Sequence, residues 1–257
     1  MVSAEIQLSV VIITYNEARN ITRCITSLID VADEVVVVDS YSTDATVSIA
    51  EGLGARVVQH PFAGHIEQKN WALQQAKYPH VLSLDADEAL DETLRQAIIA
   101  VKKKCTHDAY TMNRLTNFCG VWVHHSGWYP DVKLRLWDKR KGQWGGMNPH
   151  DKVILNVAGA TQQHLRGDLL HYSYYTQTEH IERAKKYADI AAKAYFERGK
   201  KATVGHLLFS PTIKFIRNYI FRLGFLDGRT GWTICSVAAK ETFWKYRQLL
   251  ALQRSGN

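Results

Sequence analysis

Residues 8–44 have the sequence LSVVIITYNEARNITRCITSLIDVADEVVVVDSYSTD. Two short apolar runs, residues 8–13 and 34–38, are rich in β-branched side chains and are typical of buried strands. Between them Ile21, Cys24 and Leu28 recur at the spacing of one helix face. The stretch therefore predicts a strand, a helix and a second strand parallel to the first.

The same alternation continues through the first hundred residues. Polar residues that precede the predicted helices are candidate N-caps, namely Asn16, Ser42 or Thr43, and Asp91. The further elements are strands at residues 55–58 and 80–84 and helices ending at residue 51, at 66–76 and from residue 91 to 104. This order predicts an α/β fold, with a mostly parallel sheet flanked by helices.

The second half of the chain has a different pattern. Alternating segments at residues 109–115, 121–125 and 132–137 predict strands of a mixed sheet. Helical segments follow at 181–198, from Ser210-Pro211 to near Gly224, and at 231–253. We therefore expect an α/β domain at residues 1–180 and a helical C-terminal extension packed on it at residues 181–257.

The charge is distributed unevenly along the 257 residues. The net charge is +7, but residues 181–257 contain 15 Lys and Arg against 5 Asp and Glu, whereas the residues before them carry a small negative excess. Such a basic segment favours nucleic acid or an anionic membrane surface as partner. The two alternatives require different arrangements of the basic side chains.

Location can be inferred from what the sequence lacks. The N-terminus has an acid where a signal peptide is basic, and no apolar stretch reaches the ~20 residues that span a bilayer. The four cysteines are scattered and form no C-x-x-C pair, which is typical of reduced thiols. We expect a cytoplasmic protein, peripheral at the inner face of the membrane if its basic segment binds lipid.

Polar residues directly follow three of the predicted parallel strands. They are Thr14-Tyr15-Asn16-Glu17, Asp39-Ser40-Tyr41-Ser42-Thr43-Asp44 and Asp85-Ala86-Asp87-Glu88. Ligands of open α/β sheets bind beyond the carboxyl ends of the strands, so these residues should converge at one edge. Any one of them is equally well explained as a helix cap or turn residue, but the coincidence of three favours a site.

Asp85 and Asp87 form a D-x-D motif at a strand end. Two carboxylates in this position can face one cation, and oxygen ligands suit Mg²⁺ or Mn²⁺ bridging a diphosphate. A nicotinamide dehydrogenase is excluded because no glycine-rich turn follows the first strand. A sugar-phosphate nucleotidyltransferase, which shares the sheet and the metal, remains an alternative.

These motifs, over residues 8–151, resemble those of family 2 glycosyltransferases, which have the GT-A fold. The resemblance implies a UDP-sugar donor, with Asp39 accepting a hydrogen bond from uracil and Asp87 binding the metal directly. Asp85 would lie near both the ribose and the metal. Lys69-Asn70 resembles the family's basic residue-Asn pair near the nucleotide. The nucleotide-sugar site implied in this way comprises Thr14, Tyr15, Glu17, Asp39, Ser42, Lys69, Asn70 and Asp85.

Asp151 is the candidate catalytic base. Residues 144–151, WGGMNPHD, resemble a Gly-rich, His-acid stretch of enzymes similar to lipopolysaccharide-core glucosyltransferases, in which the acid is more often Glu. The resemblance implies inverting transfer of a hexose, with this carboxylate deprotonating an acceptor hydroxyl. Capping of a turn after Pro149 is the alternative role for Asp151. His171, in a His-Tyr-Ser stretch that related enzymes share, is a candidate further metal ligand or diphosphate contact, and a structural role is the alternative.

The segment around residues 204–229 is both basic and apolar. On a helix, Ile213, Ile216 and Ile220 would share one face and Lys214 and Arg217 another. This pattern is typical of a helix lying in a membrane interface, and residues 218–232 resemble the tail of the same envelope-glycan enzymes. A packed helix with a solvated basic face is the alternative. A nucleic-acid-binding protein is disfavoured because no recognised binding motif is present.

Overall fold

The computed structural model describes residues 5–147 and 150–255. They divide into two compact units. The first contains the residues up to Arg114 together with Asp131–Tyr172, and the second contains Leu115–Pro130 and the residues from Ser173 onward. The domain limits expected from the sequence, 1–180 and 181–257, stay a prediction.

The strands confirm the expected mixed sheet. The order across it is β3-β2-β1-β4-β8-β6-β11-β5, β7 pairs with β6, and β9 and β10 form a separate hairpin. The strands are β1 (Leu8–Thr14), β2 (Glu34–Asp39), β3 (Arg56–Gln59), β4 (His80–Asp85), β5 (Glu88–Leu90), β6 (Ala109–Phe118), β7 (Val121–Val123), β8 (Val132–Asp138), β9 (Gly142–Met147), β10 (His150–Leu155) and β11 (Gln162–Tyr174).

The four strands β3, β2, β1 and β4 are parallel, and β8 continues the sheet antiparallel to β4. Alternate residues of the parallel strands enter two hydrophobic clusters. Val10 and Ile12 pack in one cluster, and Val11 packs in the other. Because successive strand side chains point to opposite faces, both faces of this half of the sheet are buried.

In the described part of the first unit, four helices accompany the sheet: α1 (Ile21–Thr26), α2 (Thr46–Gly52), α3 (His65–Gln75) and α4 (Glu92–Lys103). Asp91 caps α4 as expected, accepting a 2.6 Å hydrogen bond from the Leu94 amide. The other predicted caps are wrong. Asn20 and Ala45 precede α1 and α2, because Asn16, Ser42 and Thr43 are bonded to one another across two loops.

The second unit contains the helices α5 (Gln177–Glu197), α6 (Val204–Ile216) and α7 (Gly228–Ser255), with a π-helical turn at Arg217–Phe221 and a 3₁₀ turn at Gly224–Asp227. The expected start of α6 at Ser210-Pro211 is wrong. Thr203 and His206 form a capping box, so the helix begins seven residues earlier and Pro211 lies within it. Within the described residues no helix has the length and hydrophobicity needed to cross a bilayer.

Candidate active site

The strand register aligns the ends of the three parallel strands. Thr14 of β1 pairs with Asp39 of β2, and Ile13 pairs with Asp85 of β4. The predicted residues therefore lie at one level along the carboxyl edge of the sheet. Thr14 and Asp39 are buried, and Thr14 Oγ1 has no hydrogen-bond partner in the described part of the chain.

Asp39 is held in place by the loop that follows it. Its Oδ2 accepts a 2.9 Å hydrogen bond from the Ser42 amide, and its Oδ1 accepts one from the Ser42 hydroxyl. Ser42 Oγ in turn accepts a 2.8 Å bond from the Asn16 amide. A fully buried carboxylate is costly unless hydrogen-bonded, so Ser42 both orients and stabilises Asp39.

The loops after β1 and β2 are joined by further hydrogen bonds. Asn16, with φ +52°, accepts a 2.8 Å bond from the Thr43 amide, and the Glu17 amide donates a 2.8 Å bond to Thr46 Oγ1. The Glu17 carboxylate accepts from Asn20 Nδ2 at 2.6 Å. Tyr15 stands between these anchored residues with 58% of its surface exposed. These hydrogen bonds join the two loops into one rim, on which Tyr41 is also exposed, at 53%.

Lys69 connects two predicted carboxylates that are far apart in sequence. Its Nζ lies 3.1 Å from Asp85 Oδ1 and 2.8 Å from Asp151 Oδ2. The Lys69 side chain is 4% exposed and lies 4.4 Å from the centre of the Trp144 ring. One buried ammonium thus brings the candidate base beside the D-x-D motif.

Arg135 of β8 completes this network and was not predicted from the sequence. Its Nη2 lies 3.2 Å from Asp85 Oδ2 and 2.6 Å from Glu88 Oε1. Burial acts to raise the pKa of Asp85, but Lys69 and Arg135 outweigh it and hold that pKa well below its usual range. Burial likewise acts to lower the pKa of Arg135, and Glu88 and Asp85 raise it.

Asp87 has a different partner from Asp85. Strand β5 pairs antiparallel with β11, with Glu88 opposite His171, and the Tyr172 amide donates to the Asp87 carbonyl at 2.9 Å. This pairing brings His171 Nε2 to 3.3 Å from Asp87 Oδ2. The two side chains are 15% and 20% exposed, so both remain accessible at the site.

Asp87 and His171 are chemically suited to a divalent cation, since carboxylate oxygen and imidazole nitrogen are both common ligands. The third predicted ligand, Asp85, is turned toward Lys69 and Arg135. Among the described residues no group of three or more His, Cys, Asp or Glu side chains is arranged to hold one metal ion. A metal held by two protein ligands would have further positions open to other oxygen ligands and water.

The β9–β10 hairpin carries Asp151, and Asn70 of α3 anchors it. Asn70 Nδ2 donates to the Trp144 carbonyl at 2.9 Å, and the Trp144 amide donates to Asn70 Oδ1 at 2.9 Å. Both ends of the Asn70 amide are thus bonded to the hairpin backbone. Direct contact of Asn70 with a nucleotide, implied by resemblance, stays a prediction. The alternative role of Asp151, capping a turn after Pro149, stays a prediction because Pro149 lies outside the described residues.

Comparison with known proteins identifies the family. The model for Glycosyl transferase family 2 matches residues 9–156. A protein named "Uncharacterized glycosyltransferase" from Rickettsia bellii (strain RML369-C) is 30% identical over 263 residues, covering 98% of this chain and 88% of the relative. The lipopolysaccharide core biosynthesis glycosyltransferase LpsC of Rhizobium meliloti (strain 1021) is 29% identical over 260 residues, covering 94% of each.

Among solved structures, that of S. aureus TarS 1-349 in complex with UDP is similar with a TM-score of 0.45 and 18% identity, covering 98% of this chain and 92% of that one. The family match spans more than half of the chain, and the Rickettsia relative aligns over nearly all of it. The resemblance inferred from the strand-end motifs and the GT-A fold that it implied are confirmed. The chain belongs to glycosyltransferase family 2.

Proposed function

We propose that the protein is an inverting glycosyltransferase that moves a hexose from a UDP-sugar to a saccharide acceptor in cell-envelope glycan synthesis. The observation that carries the proposal is the alignment of Asp39 and Asp85 at one sheet edge, with Lys69 linking Asp85 to Asp151. The named role of LpsC in lipopolysaccharide core biosynthesis supports a lipopolysaccharide-core or other lipid-linked acceptor.

The nucleotide would lie against the ends of β1 and β2. Asp39 accepts from the uracil N–H, the exposed Tyr15 ring stacks on the base, and Glu17 binds the ribose. Thr14, with its unpartnered hydroxyl, and Lys69 complete the pocket. Asp39 is fixed by Ser42 and presents only acceptor oxygens, which match the N3–H donor of uracil.

Asp87 and His171 would hold Mg²⁺ or Mn²⁺. The bound cation would neutralise the negative charge that develops on the departing diphosphate. The acceptor oxygen attacks the anomeric carbon on the face opposite UDP, and its proton passes to Asp151. The bond from the anomeric carbon to the phosphate oxygen breaks, and its electron pair leaves with UDP. Lys69 keeps the Asp151 carboxylate beside Asp85 and therefore in reach of the reacting sugar.

The residues 204–229, which we call the interface segment, would rest on an anionic membrane surface. Phe209, Ile213 and Phe221 are 66%, 63% and 78% exposed, and Arg217 and Arg222 are exposed among them. Exposed apolar side chains beside basic ones suit the boundary between lipid headgroups and acyl chains. This placement would bring a cytoplasmic enzyme to an acceptor anchored in the membrane.

Hydrolysis of a panel of UDP-sugars with Mn²⁺ tests the catalytic proposal, because slow donor hydrolysis needs no acceptor. We expect one donor to be cleaved, and Asp87→Ala to reduce the rate by roughly 10²-fold or more, since the diphosphate charge is then uncompensated. Asp151→Asn keeps the shape of the side chain and removes the base.

The matched control is Asp30→Ala, which removes a carboxylate that is 74% exposed and contacts Arg95. The control should hydrolyse the donor like the wild type. The proposal fails if no UDP-sugar is bound or cleaved with any divalent metal, or if Asp87→Ala and Asp30→Ala behave alike.

A further inference from the structure

A cavity of about 360 Å³ opens beside the candidate base, on the β8 side of Asp85. Lys69, Asp85 and Asp151 form one part of its wall, and residues of β8 and β10 form another. Strands β1 and β2, where the nucleotide is proposed to bind, lie on the opposite side of β4 in the sheet order. The cavity is therefore placed to receive the second substrate.

The charges around the cavity are unequal. Among the described residues, its lining contains two carboxylates, Asp85 and Asp151, against five basic side chains, which are Lys69, Arg114, Lys133, Arg135 and Lys152. Lys69 and Arg135, both almost fully buried, are already paired with Asp85, Asp151 and Glu88. These inner groups carry two positive and three negative charges, so the basic character of the cavity comes from its remaining cations.

The outer wall keeps a positive excess. Arg114 Nη2 and Lys133 Nζ share one carboxylate, that of Asp131, at 2.8 and 2.9 Å. Arg114 also contacts a second carboxylate, with its Nη1 3.6 Å from Glu88 Oε1. Lys152 of β10 is exposed one residue after the candidate base. Three cations thus face the opening beside one carboxylate, that of Asp131. When Glu88 and Asp131 are counted with the lining, five cations meet four carboxylates, which leaves one positive charge.

We infer that this cavity binds the acceptor and that the acceptor carries an anionic group, a carboxylate or a phosphate, close to the hydroxyl that is glycosylated. The inference rests on the proposed function and narrows its substrate class. An uncharged saccharide offers these cations only hydroxyl oxygens, whereas an anion adds Coulombic attraction to the hydrogen bonds. Lys133 and Lys152 would bind the anion while Asp151 receives the proton of the hydroxyl.

Binding of simple probes tests the inference without requiring turnover. Trp144 lines the cavity, so tryptophan fluorescence can report occupancy. With UDP and Mn²⁺ present, we would titrate glucose 6-phosphate, glucuronate and methyl glucoside. We expect at least one of the two anions to bind roughly tenfold or more tightly than the neutral glycoside, and that preference to fall with rising ionic strength. Preference for one anion over the other identifies phosphate or carboxylate.

The double variant Lys133→Gln, Lys152→Gln should reduce the preference for the anion to within about threefold of the neutral glycoside. The control Lys103→Gln, an exposed lysine of α4 outside the cavity, should keep the preference. Equal binding of all three probes, no binding of either anion, or a preference that survives in the double variant would overturn the inference. Failure of UDP-sugar hydrolysis in the wild type would instead count against the proposed function.

Discussion

Lys69, itself buried, holds two partly buried carboxylates, those of Asp85 and Asp151, with one ammonium group. Lys69→Met leaves Asp151 without its cation and Asp85 with Arg135 alone. Removing one partner of a buried ion pair is strongly destabilising, because the remaining charge is desolvated and unpaired. We expect the free energy of unfolding, measured with urea at neutral pH, to fall by about 3 kcal/mol.

Two further variants separate charge from bulk at this position. Lys69→Arg keeps the positive charge and should lose less stability than Lys69→Met. Lys103→Met removes an exposed lysine and should change the free energy of unfolding by less than about 0.5 kcal/mol. If Lys69→Met were no worse than Lys103→Met, the ion-pair network would not contribute to stability.

His180 provides a second prediction, in the second unit. Its ring packs 5.1 Å from Phe118, 5.6 Å from Trp128 and 4.8 Å from Tyr174. Burial, with a smaller contribution from Arg183, lowers the pKa of His180 to about 4. The unfolded chain binds a proton near the ordinary pKa of about 6.5, so the unfolded state takes up more protons than the folded one between these values.

The stability that neutral His180 contributes is therefore complete above about pH 6.5 and is lost as the pH falls toward 4. At pH 5 the loss is about 2 kcal/mol relative to neutral pH. His180→Phe keeps an aromatic ring and cannot titrate, so its free energy of unfolding should fall less over this interval. Denaturant unfolding of both proteins at pH 7 and 5 measures the difference, and parallel losses would refute the argument.

Site residues could be predicted where they lie next to a recognisable strand in the sequence. Asp39 and Asp85 directly follow apolar runs and Asp87 lies two residues later, so their position at the sheet edge follows from the sequence pattern. Arg135 gives no such signal, because it lies inside a strand and meets Glu88 from 47 residues away. Its role depends on β8 lying next to β4, which is a property of the folded sheet.

At the scale of the elements, the side-chain amide of Asn70 attaches the β9–β10 hairpin to helix α3. Asn70→Ala removes both 2.9 Å hydrogen bonds to the Trp144 backbone. Unsatisfied buried groups cost about 1–3 kcal/mol, and the hairpin should open locally more often. We expect faster proteolysis within residues 142–155 and a lower kcat for transfer, because Asp151 is carried by this hairpin.

Gln74→Ala, at an exposed position of the same helix, is the matched control. It should leave both proteolysis and transfer unchanged. An Asn70→Ala protein with a protected hairpin and normal kcat would mean that Asn70 does not position the base. A higher KM for the UDP-sugar alone would instead favour the nucleotide contact that the family resemblance implies.

Element boundaries were predictable except where one local signal competes with another. Ser210-Pro211 is a common helix start, yet the capping box of Thr203 and His206 starts α6 earlier. Asn16 is a good cap by residue type, but its amide oxygen is used by Thr43 across the neighbouring loop. In both cases the residues that form the observed interaction can be identified in the sequence. The sequence does not show that this interaction is stronger than the competing cap.

At the scale of the whole molecule, the parallel half of the sheet follows from the order of strands and helices. The antiparallel half does not, because β11 lies between β6 and β5 although it comes last in sequence. That pairing alone brings His171 beside Asp87. The sequence therefore suggests which residues are candidate metal ligands. Their proximity depends on long-range strand pairing, which the sequence pattern does not predict.

The uneven charge along the chain leads to the last prediction, on the interface segment. We expect the protein to sediment with vesicles of phosphatidylglycerol and phosphatidylcholine, and less with phosphatidylcholine alone. Raising the ionic strength from about 0.05 M to 0.5 M should weaken the electrostatic part of this binding. The apolar part persists at high salt, since it depends on the exposed Phe209, Ile213 and Phe221.

Two sets of variants separate these contributions. Ile213→Asp with Phe221→Asp should lower vesicle binding by roughly tenfold or more at both salt concentrations, because each side chain loses its burial in lipid. Arg217→Gln with Arg229→Gln should lower it mainly at low salt, at about 1 kcal/mol per charge near the surface. Ile190→Asp on α5, 42% exposed and outside the interface segment, is the control. If Ile190→Asp weakened binding as much as the segment variants, vesicle binding would not depend on residues 204–229 in particular. It would then result from the general basic charge of the protein.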